Sequence, residues 1–127
     1  MYNFRTDLAL ERKDVYQKAN KLKQVNGVSS TEENIDNNIK VSRVMIETEE
    51  GEQALGKPKG NYVTIDIKKL KLAGEDEIQK ASDTLSNELT RIIDSHTDKQ
   101  GEILVVGLGN IYVTPDALGP KVINEID

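Results

Sequence analysis

The chain reads as an α/β protein, a layered sheet with flanking helices, on three observations. Glu102-Ile-Leu-Val-Val-Gly107 is a continuous apolar run that stops at glycine, the pattern of a strand buried on both faces. Ahead of it, Ile78, Ala81, Leu85, Leu89, Ile92 and Ile93 recur at helical spacing. Further upstream, Val63, Ile65 and Ile67 alternate with Thr64 and Asp66, as in a half-buried strand.

Taken in order, residues 7 to 24 place Leu8, Val15, Ala19 and Leu22 at offsets of seven, four and three, which predicts an amphipathic helix with Asp7 near its start. Val25 to Asn38 is rich in Asn, Ser and Glu and reads as a surface loop. Ile39 to Thr48 is dense in β-branched residues and predicts a strand. Glu49 to Gly60, punctuated by Gly51, Gly56, Pro58 and Gly60, reads as a turn or long connection, after which the 63–67 strand is placed to pair antiparallel with the first. The helix of Glu75 to His96 has Glu75, Asp76 and Glu77 in its first turn, where negative charge suits the helix dipole. Its sheet-facing side is predicted to be Ile78, Leu85, Leu89 and Ile92, with Ile103 to Val106 as a central strand joined by a right-handed crossover.

Composition narrows the chemistry. One domain is expected from 127 residues, enough to bury roughly two-thirds of the extended surface. A net charge of −5 opposes a tight approach to nucleic-acid phosphate or anionic lipid, so neither direct nucleic-acid nor membrane partners are expected. No stretch approaches the ~18 apolar residues of a membrane span, and Met1 to Leu10 lacks the features of a leader, which points to a cytoplasmic protein. With no cysteine, disulfides and thiolate chemistry are excluded, and with His96 the single histidine, a Ser-His-Asp triad or a catalytic metal centre is not expected.

Gly107-Leu-Gly-Asn-Ile-Tyr-Val-Thr-Pro-Asp-Ala-Leu-Gly-Pro120 is read as the passage from strand to helix, at the end of a sheet where ligands bind. Gly107 and Gly109 permit tight turns, Thr114 is placed to cap a helix, Pro115 suits its first position, and Asp116 falls in the first helical turn. Asp116 either complements the helix dipole or carries chemistry. A dinucleotide fingerprint is excluded by Tyr112, which stands where its third glycine belongs.

Gly107-Leu-Gly-Asn110 followed by Val113-Thr-Pro-Asp-Ala-Leu-Gly-Pro120 resembles the motif of bacterial spore germination proteases. Arg5-Thr-Asp-Leu-Ala9 with Glu11 resembles that family's self-processing site, and Gly60-Asn-Tyr-Val-Thr64 a further block. The resemblance implies an aspartic-type endopeptidase that degrades small acid-soluble spore proteins during germination, cutting after an acidic residue and before a hydrophobic one followed by alanine. It implies a zymogen that cuts itself between Asp7 and Leu8, with residues 1–7 as propeptide, 8–38 as an amino-terminal helix and loop, and 39–127 as the start of the protease domain. Asp116 is then one of two catalytic aspartates, supported by Gly107, Gly109, Asn110 and Thr114, with the second acid in a later segment. Family members are longer, so the chain is expected to be an amino-terminal part that is inert alone. The resemblance also implies a homotetramer in the spore core, no metal and no cofactor, and a phosphorylase/hydrolase-like fold of the kind found in hydrogenase-maturation proteases. Two alternatives stand beside it. One is a metal-dependent endopeptidase of the hydrogenase-maturation type, which the same motif resembles. The other is a non-catalytic module holding an anion at the glycine turn.

Overall fold

The structure is a computed structural model and describes residues 7–96 and 101–126. It divides into two compact units at Ser95/His96. The first is built on a three-stranded antiparallel sheet, β1 (Val28–Asn34), β2 (Ile39–Ile46) and β3 (Gly60–Ile67), in the order β1-β2-β3. Around the sheet lie α1 (Ala9–Asn20), α2 (Glu49–Leu55) and the long α3 (Glu75–His96). The architecture is thus α/β with flanking helices, as the sequence predicts.

β2 is the central strand, and its alternation sets both faces. Val44 and Ile46 point to one side, where they close a core with Ala9, Val25, Ala54 and Leu55. Ile39 and Val41 share the other side with Arg43 and are also buried. The expected antiparallel pairing of β2 with β3 is present, with Val41 opposite Ile65 and Arg43 opposite Val63.

Two elements correct the sequence reading. The stretch taken as a loop contains β1, which pairs with β2 along its whole length, Val28 opposite Ile46 through Asn34 opposite Lys40. Ser29 to Asn34 are exposed, so pairing rather than burial holds the strand, and polarity alone gave no sign of it. The turn back to β2 is closed by the Asp36 carboxylate, which accepts the Asn38 and Ile39 N–H groups at 2.7 and 2.9 Å. These bonds, that from Asn38 first, hold the Asp36 carboxyl below its ordinary range, with Lys80 adding to the effect. The second correction is α2, within the stretch read as a connection. Thr48 caps it by accepting the Gly51 N–H at 3.2 Å, and Gly56 ends it in the left-handed conformation at φ 63.

The helices at 7–24 and 75–96 form as expected, but each turns a different face inward. On α1 the buried residue is Ala9, with Leu10 and Tyr16 beside it, whereas Val15 is exposed, as is Leu22, which lies beyond the end of the helix at Asn20. The stems of Arg12 and Lys13 cover the rest, and Arg12 donates to the Leu55 and Gly56 carbonyls at the end of α2 at 3.2 and 2.8 Å. On α3 the buried residues are Thr84 and Glu88, and Ile92 is half-buried, but Ile78, Leu85 and Leu89 are exposed. The seam is rotated roughly a quarter turn from the apolar stripe. Arg43 explains this: a guanidinium in a sheet face demands a carboxylate, and Glu88 supplies it.

The second unit contains a 3₁₀ turn at Thr114–Asp116 and α4 (Leu118–Asn124). The predicted central strand does not form: residues 101 to 108 carry no strand pairing, and Leu104 is 88% exposed. A strand exists only as half of a pair, and a parallel one needs neighbours and helices on both faces. None of these partners is found for it among the described residues, so the crossover expected with it is absent there too.

Candidate active site

The Gly107–Pro120 segment folds back on itself through its backbone. Asn110 donates its N–H to the Asp116 carbonyl at 2.9 Å, accepts the Val113 N–H on its own carbonyl at 3.0 Å, and accepts the Tyr112 N–H on its side-chain oxygen at 3.0 Å. The Asp116 N–H closes the turn onto the Val113 carbonyl at 2.8 Å. Asn110 is therefore the residue that fixes the position of Asp116.

Glycine is required where the two limbs touch. Gly109 has φ +146, and a Cβ there would fall 2.1 Å from the Asp116 carbonyl oxygen; one on Gly107 would meet the Gly119 carbonyl at 2.2 Å. Both glycines thus act by permitting close backbone approach. Thr114 differs from expectation. It caps no α-helix, opening instead the 3₁₀ turn with Pro115 behind it, while its carbonyl accepts the Ala117 N–H at 3.4 Å. α4 starts only at Leu118, so Asp116 precedes the helix and does not sit in its first turn. The reason is the Asn110 bond: a carbonyl committed back to the loop holds residues 114–116 in the tighter turn.

Asp116 presents its carboxylate to solvent, with no hydrogen bond or ion pair to that carboxylate among the described residues, while Ala117 beside it is buried. The loop is closed by its own hydrogen bonds, and the carboxylate lies exposed beside them. One such carboxylate is able to take or give a proton, but not both in one step. His96 ends α3, and no group of three His, Cys, Asp or Glu in metal-binding proximity occurs among the described residues.

Asp7 and Leu8 lie in the first unit. Asp7 is fully exposed and pairs with Arg12 at 3.4 Å; it does not cap α1, whose N-cap is Leu8, extended at φ −73, ψ 125. Ala9 begins the helix and is buried. The Asp7–Leu8 junction is thus accessible, but an enzyme reading Leu8 and Ala9 as an extended pair must unwind the first turn of α1. Arg5 and Thr6 fall outside the described residues.

The sequence reading missed the polar cluster under α3. Arg43 donates through Nε to Glu88 at 2.8 Å and through Nη2 to Glu33 at 2.8 Å and to the second Glu88 oxygen. The Arg43 hydrogen bond holds the Glu88 carboxyl below its ordinary range, against the opposing effect of burial, and Glu88 with Glu33 raises Arg43 in turn. Beside the cluster lies a cavity of about 270 Å³ lined by Met45, Asn61, Val63, Arg91 and Ile92 among others. Arg43 and Glu88 are 45 residues apart, so no local pattern announces the pair.

Comparison with known proteins defines the class first: the relatives are proteases. A protein named Germination protease from Clostridium perfringens is 41% identical over 126 residues, covering 99% of this chain and 38% of that protein. One from Caldanaerobacter subterraneus subsp. tengcongensis is 42% identical over 122 residues, 96% of this chain and 36% of its own length. One from Priestia megaterium is 38% identical over 130 residues, 98% and 35% respectively. The family model described as Germination protease matches residues 5–127. The chain belongs to the germination protease family, and spans somewhat over a third of the length of these relatives.

Proposed function

We propose that the complete protein is an aspartic-type endopeptidase that starts the degradation of small acid-soluble spore proteins at germination, and that it is made as a zymogen which cuts itself between Asp7 and Leu8. The observation that carries this reading is Asp116, an unpaired carboxylate held on a glycine-tied loop within a chain that belongs to the germination proteases over residues 5–127.

The chemistry needs two acids. A carboxylate takes a proton from water, whose oxygen adds to the peptide carbonyl; a protonated carboxyl then gives its proton to the leaving amine as the C–N bond breaks. Two close carboxylates divide these parts because mutual repulsion keeps one protonated while the other is ionised. Asp116 is one of them and the other lies in the remainder of the protein, so this chain alone is inert. The remainder also completes a layered, phosphorylase/hydrolase-like sheet in which Ile103 to Val106 finds partners. The complete enzyme is a homotetramer of the spore core.

The test uses the full-length zymogen, mildly acidified and analysed by mass spectrometry. Wild type is expected to acquire an amino terminus at Leu8, and Asp116→Asn and Asp7→Lys to retain Met1. Processing by Asp116→Asn at the wild-type rate, or a dominant cut elsewhere, overturns the reading.

A further inference from the structure

The first turn of α1 receives no side-chain capping bond from its N-cap residue, Leu8, which has no oxygen to offer the leading N–H groups. It is fastened from α2 instead. Arg12 sends Nη1 to the Leu55 and Gly56 carbonyls, at 3.2 and 2.8 Å, and Nη2 to Asp7 at 3.4 Å, so one guanidinium joins the residue ahead of the Asp7–Leu8 bond to the end of another helix. α2 lacks what Arg12 brings: its first turn holds Glu49, Glu50 and Glu52, and its last turn has no basic residue, although the closing carbonyls and the negative end of the dipole favour a cation there. The Arg12 N–H also donates to the Leu8 carbonyl at 3.0 Å, and Ala9 between them is buried. Beyond this turn the helix has other attachments, Lys13 Nζ to Ser30 Oγ at 3.2 Å and Tyr16 against the core. The first turn is thus able to lift while the rest of α1 stays docked, and Arg12 is the side chain that must let go.

We infer that Arg12 is a latch on the Asp7–Leu8 bond: the bond is cut only when the first turn of α1 leaves the end of α2, and Arg12 sets how often that happens. An endopeptidase must reach the carbonyl carbon it attacks and hold the backbone on both sides of it extended. Here Ala9 to Arg12 are helical and the Leu8 carbonyl is engaged, so the exposure of Asp7 is not sufficient for cutting. When closing is faster than cutting, the rate follows the population of the open turn. That this bond is the processing site of a zymogen rests on the function proposed above. The latch itself does not, since any enzyme that cuts after an acid waits for the same opening.

The experiment treats the 127-residue chain with an added endopeptidase that cuts after Asp and Glu, dilute enough that cutting stays slower than closing, and follows the new Leu8 terminus by mass spectrometry. A synthetic peptide of residues 5–14 carries the same bond with no α2 to hold it, and is expected to be cut at least about tenfold faster than the protein. Arg12→Met keeps an apolar stem but loses the fork; cutting at Leu8 and hydrogen exchange of the amide at position 12 are each expected to rise at least about tenfold, with exchange in β2 and cutting at Asp66–Ile67 in β3 unchanged. Arg12→Lys keeps the charge without the planar fork and is expected to fall between the two. The peptide comparison uses the unaltered protein, so misfolding of a variant does not decide the matter. Equal rates for peptide and protein, an Arg12→Met junction cut at the wild-type rate, or an acceleration shared equally by β2 exchange and the Asp66–Ile67 bond would each overturn the inference. Because the added enzyme makes the cut, a failure here is distinct from a failure of the full-length zymogen to process itself.

Discussion

Replacing Arg43 with alanine strands the Glu88 carboxylate at a site where its side chain is 8% exposed. Two charge-assisted hydrogen bonds to Glu88 vanish together, and the acid keeps little water to replace them. Removing one partner of a buried pair costs about 3–5 kcal/mol; because Arg43 is itself 18% exposed and Glu88 can turn toward the adjoining cavity, about 2–4 kcal/mol is expected here. For a chain of this size that lowers the thermal midpoint by about 10 °C. Glu33→Ala removes only the exposed arm of the cluster and is expected to cost about 0.5 kcal/mol. Arg43→Met with Glu88→Leu removes both charges and leaves an apolar contact, so the double variant is expected within about 1 kcal/mol of wild type. Urea unfolding of the 127-residue chain, followed by far-ultraviolet circular dichroism, measures all three. If Arg43→Ala costs no more than Glu33→Ala, or the double variant is as unstable as the single, Arg43 is not what fixes the inward face of α3.

The Glu88 carboxyl is lowered in the folded state, so the folded chain binds fewer protons than the unfolded one. Its contribution is complete above the unfolded carboxyl value and is lost as pH falls through the lowered folded value; urea midpoints should therefore fall more steeply on acidification in wild type than in Arg43→Met/Glu88→Leu. Leu55→Ala opens a void at a fully buried position and should cost about 2–5 kcal/mol in the same urea assay. Gly109→Ala forces a side chain into φ +146 and onto the Asp116 carbonyl; amide exchange at Asn110 and Asp116 should accelerate at least about tenfold while exchange in β2 is unchanged.

How far the sequence reached depended on whether each signal was local. The helix at 75–96 needed only the spacing of its apolar residues and its acidic first turn. The β2 and β3 strands needed only β-branched density and alternation. The glycines of the candidate site were legible because close approach admits nothing larger, and Asp116 was legible through its motif. α2 was within reach: Thr48, an acidic first turn and Gly56 followed by Pro58 are its start and stop, outweighed in the reading by Gly51 in its middle.

Other features had no local sign. β1 is polar throughout all but its first residue and is a strand because β2 lies beside it. Which side of α3 turns inward was settled by Arg43, 45 residues from Glu88 in sequence, since a sheltered cation tolerates only a face that offers a carboxylate. Ile103 to Val106 has the composition of a buried strand and lies exposed, because composition states a preference for burial while burial itself requires partners. The sequence by itself determined the helices α1 and α3, the β2–β3 strand pair and the family; tertiary structure alone decided which faces are covered, because coverage depends on contacts between residues that no local pattern connects.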